Sequence, residues 1–148
     1  MLNWIKSILF FRELNKPVLT RAITDYGSFK NVEYVKNYDG DTITVNIKNL
    51  HPLIGNNINI RVNGIDTPEM RGGCEKSKAL AIEAKLVVQE LLTNAKQISL
   101  VNCTRGKYFR ICSDVYADNI NIASLLIAKG LAVRYDGAQK ATIGANNT

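Results

Sequence analysis

The 148-residue chain has one histidine, one tryptophan, three prolines and an odd count of three cysteines. A lone imidazole, His51, cannot build the histidine clusters that hold softer metals, and in its polar loop it reads as a plain surface residue. Cys74, Cys103 and Cys112 lack the C-x-x-C spacing of a zinc site or a redox motif, so they read as reduced thiols. Long hydrophobic runs are missing too. A bilayer span needs about 20 apolar residues, whereas the longest run near the start is Ile8-Leu9-Phe10-Phe11, so no integral membrane span is expected. Internal repeats and low-complexity tracts are also absent.

Acids are the scarcer charge: 13 Asp and Glu against 19 Lys and Arg leave a net +6. Such an excess serves either a polyanion partner or plain solubility, and charge alone does not choose between them. A composition that is 46% hydrophobic and 22% charged is that of an ordinary globular chain and too apolar for a disordered one. The length suits one domain with a real core, and a monomer is expected.

The opening MLNWIKSILFFRELNKP admits three readings. Leu2, Ile5, Ile8 and Leu9 share one helical face, which suits a helix docked on the body or one lying on a membrane surface. It is also a poor signal peptide, since Lys6 interrupts the apolar stretch and no small-x-small cleavage site follows. Location, cytoplasmic or exported, stays open. The division expected is an N-terminal extension over 1–30, a domain over 31–137 and a flexible polar tail over 138–148.

From Val32 the pattern turns to strands. Ile43, Val45 and Ile47 alternate with Thr44, Asn46 and Lys48 as in a half-buried strand, after a turn signal at Asp39-Gly40. A second β-rich run covers 57–65 beyond the loop NLHPLIGN. The period then changes, and Leu80, Ala84, Val87, Val88 and Leu91 form one stripe of an amphipathic helix over Lys76 to Asn94. Two further strands, QISLVNC and FRICSDVYA, flank a turn at Thr104 to Lys107, where Gly106 is expected to supply a positive φ. After a break at Asp118-Asn119, a short helix fits Ile122 to Lys129, with Asn121 as N-cap and Gly130 just past its end. The fold class expected is α+β, mainly β: a five-stranded OB-fold barrel with a helix inserted after strand 3 and a short C-terminal helix.

Asp39, Asp41, Asp66 and Glu69 bring four carboxylates to predicted strand ends, where loops can converge. Hard cations such as calcium take that kind of oxygen set. Bland readings compete. D-G-D is a common hairpin turn, and Thr67-Pro68-Glu69 reads equally as an N-cap, an N1 proline and a first-turn acid. Arg61 and Arg110 are harder to dismiss, because a cation in an apolar strand requires a partner or an anionic ligand.

Three stretches, Tyr38-Asp39-Gly40-Asp41-Thr42, Ile60 to Glu69 (IRVNGIDTPE) and Gly106-Lys107-Tyr108-Phe109-Arg110, resemble the signature segments of the staphylococcal nuclease (thermonuclease) family in order and spacing. The resemblance covers about residues 32 to 135. It implies a calcium-dependent phosphodiesterase that cleaves DNA and RNA with little sequence specificity and prefers single strands. On the matching positions, Asp41 and Asp66 correspond to the calcium carboxylates, with the backbone carbonyl of Thr67 as a further ligand and Asp39 behind them. Glu69 corresponds to the catalytic glutamate, and Arg61 and Arg110 to the guanidinium pair on the scissile phosphate. Lys107 and Tyr108 match positions that touch a terminal nucleotide phosphate, and Tyr135 is a candidate for stacking on a base. After Gly130-Leu131-Ala132 the family's tyrosine pair is replaced by Val133-Arg134-Tyr135. The last helix of the best-known member has no counterpart, and the tip from Met70 to Lys76 is short. The alternative functions are a catalytically weak relative that keeps the barrel and binds single-stranded nucleic acid, and a structural OB module. The second leaves two arginines and three acids at family spacing unexplained.

A hairpin centred on Arg105 and Gly106 puts Cys103 opposite Tyr108 and Cys112 opposite Ser99, so the two should not bridge. Thiol titration of the denatured, unreduced protein should therefore find all three cysteines free. A count of one would contradict this.

Overall fold

A computed structural model describes residues 27–135. The N-terminal amphipathic segment and the polar tail read from the sequence lie outside them. Strands β1 (Phe29–Lys30), β2 (Glu33–Asn37) and β3 (Thr42–Asn46) come first, then a one-turn helix α1 (Pro52–Gly55), β4 (Ile58–Val62) and β5 (Ile65–Asp66). The long helix α2 (Glu75–Asn94) precedes β6 (Ile98–Arg105), a 3-10 turn over Lys107–Phe109, β7 (Ile111–Ala117), β8 (Ile120–Asn121), α3 (Ile122–Ala128) and β9 (Val133–Arg134).

The main sheet runs β1-β6-β7-β4-β3-β2, with β8 on β7, and β5 pairs separately with β9. Every pairing is antiparallel except β4 with β7, where Arg61 lies beside Cys112. The Val32 amide, just before β2, donates to the Ile98 carbonyl of β6 at 3.1 Å and so holds the β2 end of the sheet against β6. The sheet therefore curls into the half-barrel of an OB-like fold, as the strand order predicts. Alternation decides which side chains face inward: Ile43, Val45, Ile60 and Val62 are buried in the core. Thr42, Thr44, Asn59 and Arg61 take the outer face. Helix α2 lays Ala81, Ala84, Val88 and Leu92 on the inner side, and among the described residues no helix is long and apolar enough to cross a membrane.

Several expectations are refined. Helices α2 and α3 begin and end within a residue of the predicted positions, and the Asn121 side chain caps α3 by accepting from the Ser124 amide at 2.9 Å. His51 is exposed, but its Nδ1 accepts from the Leu53 amide at 3.2 Å and caps α1, a turn of helix inside the stretch read as loop. The run over 57–65 breaks at Asn63-Gly64, where Gly64 has φ +75. Helix α2 starts at Glu75, so Thr67-Pro68-Glu69 is not its first turn.

The turn after β6 needs two corrections. Gly106 is extended (φ −84, ψ −175), and the left-handed residue is Tyr108 at φ 59. What glycine spares at 106 is a close contact instead, because a Cβ there would come 2.6 Å from Cys112 Sγ and displace it. The register also differs: Thr104 faces Cys112 and Ser99 faces Tyr116, with an irregularity between Val101 and Thr104. An extra residue in a strand shifts every later pairing. The cysteines remain free, as expected: Cys103 is buried, Cys112 half-buried and Cys74 exposed.

The turn between β2 and β3 is held on α2 by contact and by hydrogen bonds. Asn37 donates through Nδ2 to the carbonyls of Asp39 at 2.9 Å and Lys85 at 3.0 Å, and accepts from Tyr34 Oη at 2.6 Å. Gly40 is closer still, since an added Cβ would lie 2.8 Å from Thr67 Cγ2 and 2.9 Å from Ala84 Cβ. Gly40→Ala should lower unfolding stability by about 1–3 kcal/mol, the range of overpacking. In urea melts the same change should cost less in a Thr67→Ser background, which lacks the opposing methyl group.

Candidate functional site

Three separated stretches meet around one buried carboxylate. Asp41, only 2% exposed, enters from the tip of the β2–β3 hairpin. The turn that aims it is set by Asp39, whose Oδ1 accepts from the amides of Asp41 at 3.2 Å and Thr42 at 2.8 Å. Burial pushes the Asp39 carboxyl above its ordinary value of 3.8, against these hydrogen bonds and the positive charge of Arg61. Asp41 Oδ1 accepts from Thr42 Oγ1 at 3.1 Å, and Oδ2 from the Thr67 amide at 3.0 Å.

Arg61 completes the cluster from β4. Its guanidinium pairs with Asp41 through NH1 and with Asp66 Oδ1 through NH2 at 2.9 Å, and NH2 also donates to the Ile65 carbonyl at 3.3 Å. The five-residue spacing from Arg61 to Asp66 has a simple cause. The chain turns back at Asn63-Gly64, so that β5 passes beside the end of β4 and delivers its carboxylate to the same fork. A planar guanidinium suits two carboxylates as a point charge would not. In this arrangement Arg61 is a partner of both acids, and its side chain retains 23% exposure.

Glu69 is exposed in the loop after β5, two residues past Thr67. Arg110 sits half-buried just before β7, its guanidinium 5.9 Å from the centre of the Tyr108 ring. Lys107 and Tyr108 are in the exposed turn, and Tyr108 is 83% accessible. Tyr135 follows β9, which pairs with β5 so that Val133 faces Asp66, and its amide donates to the Gly64 carbonyl at 3.0 Å. The site contribution of Thr42 was not read in advance. Its one signal in the sequence is its place directly after Asp41 in the D-G-D-T string.

A hard cation would find part of its oxygen set here. Asp41 and Asp66 converge on one guanidinium, and carboxylates are ligands that hard cations take. Thr67 Oγ1 is buried without a hydrogen-bond partner, on the residue whose amide binds Asp41. Among the described residues no group of three or more His, Cys, Asp or Glu side chains gathers as a metal cage. Two carboxylates and the unpartnered Thr67 Oγ1 are nonetheless oxygen donors of the kind a hard cation takes.

A family model described as staphylococcal nuclease homologue matches residues 59–147. The match takes in Arg61, Asp66, Thr67, Glu69 and Arg110, with Asp41 ahead of it. No curated protein matches the chain.

Removing one partner of a buried ion pair leaves the other charge uncompensated, at a cost of about 3–5 kcal/mol. Arg61→Met in metal-free buffer should therefore destabilise the protein by about 3 kcal/mol in urea unfolding. Combined with Asp41→Asn it should cost at least about 1 kcal/mol less than the sum of the single changes. Strict additivity would show that the pair is not coupled in solution.

Proposed function

The chain belongs to the staphylococcal nuclease homologue family, which makes it a nuclease-like or nucleic-acid-binding module of that fold, and on this premise we propose that it is a calcium-dependent nuclease. It hydrolyses phosphodiester bonds of DNA and RNA, with a preference for single strands and little regard for sequence. The observation that carries this reading is the convergence of Asp41 and Asp66 on Arg61, with the Thr67 amide bound to Asp41. Two acids and a cation from separate elements meet where the family match and the D-G-D-T hairpin adjoin.

A phosphodiester is anionic and repels an incoming hydroxide, so charge building on its non-bridging oxygens must be neutralised. Asp41, Asp66 and the Thr67 carbonyl would hold calcium, which when bound supplies positive charge at those oxygens. Arg61 and Arg110 clamp the same oxygens as planar donors whose forked geometry matches two phosphate oxygens at once. Glu69 orients a water in line with the leaving 5′ oxygen and accepts its proton as the new phosphorus–oxygen bond forms. The bond to the 5′ oxygen breaks, and that oxygen is protonated from solvent. Lys107 and Tyr108 contact a neighbouring phosphate and Tyr135 stacks on a base. Contacts to phosphate carry no base information, which accounts for low sequence specificity.

Cleavage of single-stranded DNA, plasmid and RNA should occur in calcium and stop in EGTA. Asp41→Ala should weaken the metal site and be partly restored by added calcium, since mass action offsets a lost ligand. Glu69→Gln should lower turnover by about 10² to 10⁴ while the folded protein still binds DNA. Arg61→Lys and Arg110→Lys should each cost at least about 10², without rescue by calcium. Wild-type turnover by Glu69→Gln in saturating calcium would sink this assignment. DNA binding without any cleavage by the wild type would favour the binding-module alternative.

A further inference from the structure

A groove of about 470 Å³ lies against the β2–β3 hairpin, lined by Lys36, Tyr38, Thr42, Thr44, Asn59 and Lys85 among others. None of its lining residues is acidic. Tyr38 is 55% exposed, high for so large an aromatic, and Lys85 reaches the groove from α2, which the Asn37 bond to the Lys85 carbonyl holds against β2.

Sheet register places this groove relative to Arg61. Thr42 pairs with Arg61 and Thr44 with Asn59, and Lys36 pairs with Thr44. These side chains belong to one sheet face, opposite the buried Ile43 and Ile60. The row through Thr42 and Arg61 is therefore flanked directly by the row Lys36, Thr44, Asn59. Ile60 pairs with Ile111, so continuing the register by one residue sets Arg110 beside Asn59 at the other end of this second row. At about 4.8 Å between strands, Lys36 on β2 is three strand spacings, roughly 14 Å, from the start of β7, which Arg110 immediately precedes. A single strand covers that distance in a few nucleotides.

We propose that this groove is a subsite for nucleotides flanking the scissile phosphate, in which Lys36 and Lys85 pair with backbone phosphates and Tyr38 stacks on a base. The inference rests on the nuclease reading of the Arg61 site but concerns different residues. A phosphate held between Arg61 and Arg110 leaves its strand lying over the neutral Thr44 and Asn59, which hydrogen-bond each other at 2.9 Å. Its continuation meets two cations and an aromatic face, the combination that binds single strands without reading sequence. A duplex offers no unstacked base for Tyr38, so the subsite favours single strands.

The test compares a dinucleotide with a longer single strand as substrates of the full chain carrying Lys36→Ala, Tyr38→Ala and Lys85→Ala, with a thermal melt to verify folding. KM for the longer strand should rise about tenfold or more, with kcat unchanged and the dinucleotide KM unmoved. Tyr38→Phe alone should retain wild-type KM, because the ring and not the hydroxyl does the stacking. In binding titrations each lysine removed should lower the slope of log affinity against log salt by about 0.7. An unchanged KM for the longer strand, or an equal rise for both substrates, would overturn the subsite. If the wild type cleaves nothing, the nuclease reading fails by itself. Fluorescence anisotropy with the same longer strand then decides the subsite: tenfold weaker binding by the triple variant supports it, and equal binding refutes it.

Discussion

A buried carboxylate must have its charge and its lone pairs satisfied, and in this fold that requirement falls on Asp41. It lies almost wholly out of water, where an unpaired charge would cost several kcal/mol. Its partners are the Thr42 hydroxyl, the Thr67 amide and the Arg61 guanidinium. These come from β3, from the loop beyond β5 and from β4, so one residue ties together the β2–β3 hairpin, β4 and the stretch after β5. The packing beneath serves the same end. Gly40 lets the hairpin approach Thr67 and Ala84 more closely than any side chain would permit, and Asn37 joins the hairpin backbone to α2.

Arg61 has two obligations that pull in different directions. As a structural cation it neutralises Asp41 and Asp66; as a phosphate clamp in the proposed reaction it must offer donors to substrate. A guanidinium can serve both because its donors fan out in one plane, leaving some free while others stay engaged. A cation shared by the two carboxylates would relieve part of the first obligation. In the proposed reaction, stability and metal affinity would be coupled through the same two acids, since a ligand that binds only the folded state adds to its stability.

The outer sheet face extends this logic away from the cluster. Alternation along β3 and β4 sends isoleucine and valine inward and sends Thr42, Thr44, Asn59 and Arg61 outward, so the core and the polar track are two sides of the same strands. The order of strands β4, β3 and β2 then sets Arg61 and Lys36 on one face although the residues are far apart in sequence. An OB-like barrel suits an extended polyanion for this reason: its curled sheet offers a continuous polar surface between loops that bring catalytic groups to its edge.

Much of this was legible in the chain itself. The period-2 run at 43–47 and the helical stripe of α2 name their elements because local hydrophobic pattern and burial coincide there. Asn121 and Gly130 mark the limits of α3 because caps are decided by a few neighbouring residues. The members of the cluster, Asp41, Arg61 and Asp66, were singled out in the sequence too, around D-G-D-T and D-T-P-E. The turn after β6 was not. Gly106 is extended and Tyr108 left-handed, and the register is displaced by an irregularity, because a loop's conformation answers to what lies across from it, here Cys112. Nor could the sequence say that Arg61 is clasped by both Asp41 and Asp66, or that Lys36 and Lys85 line one groove with Tyr38. Spacing along a chain determines which element a residue joins. Which residues of different elements meet is settled only when the sheet curls and the buried charges find partners, a long-range matter that no local pattern encodes.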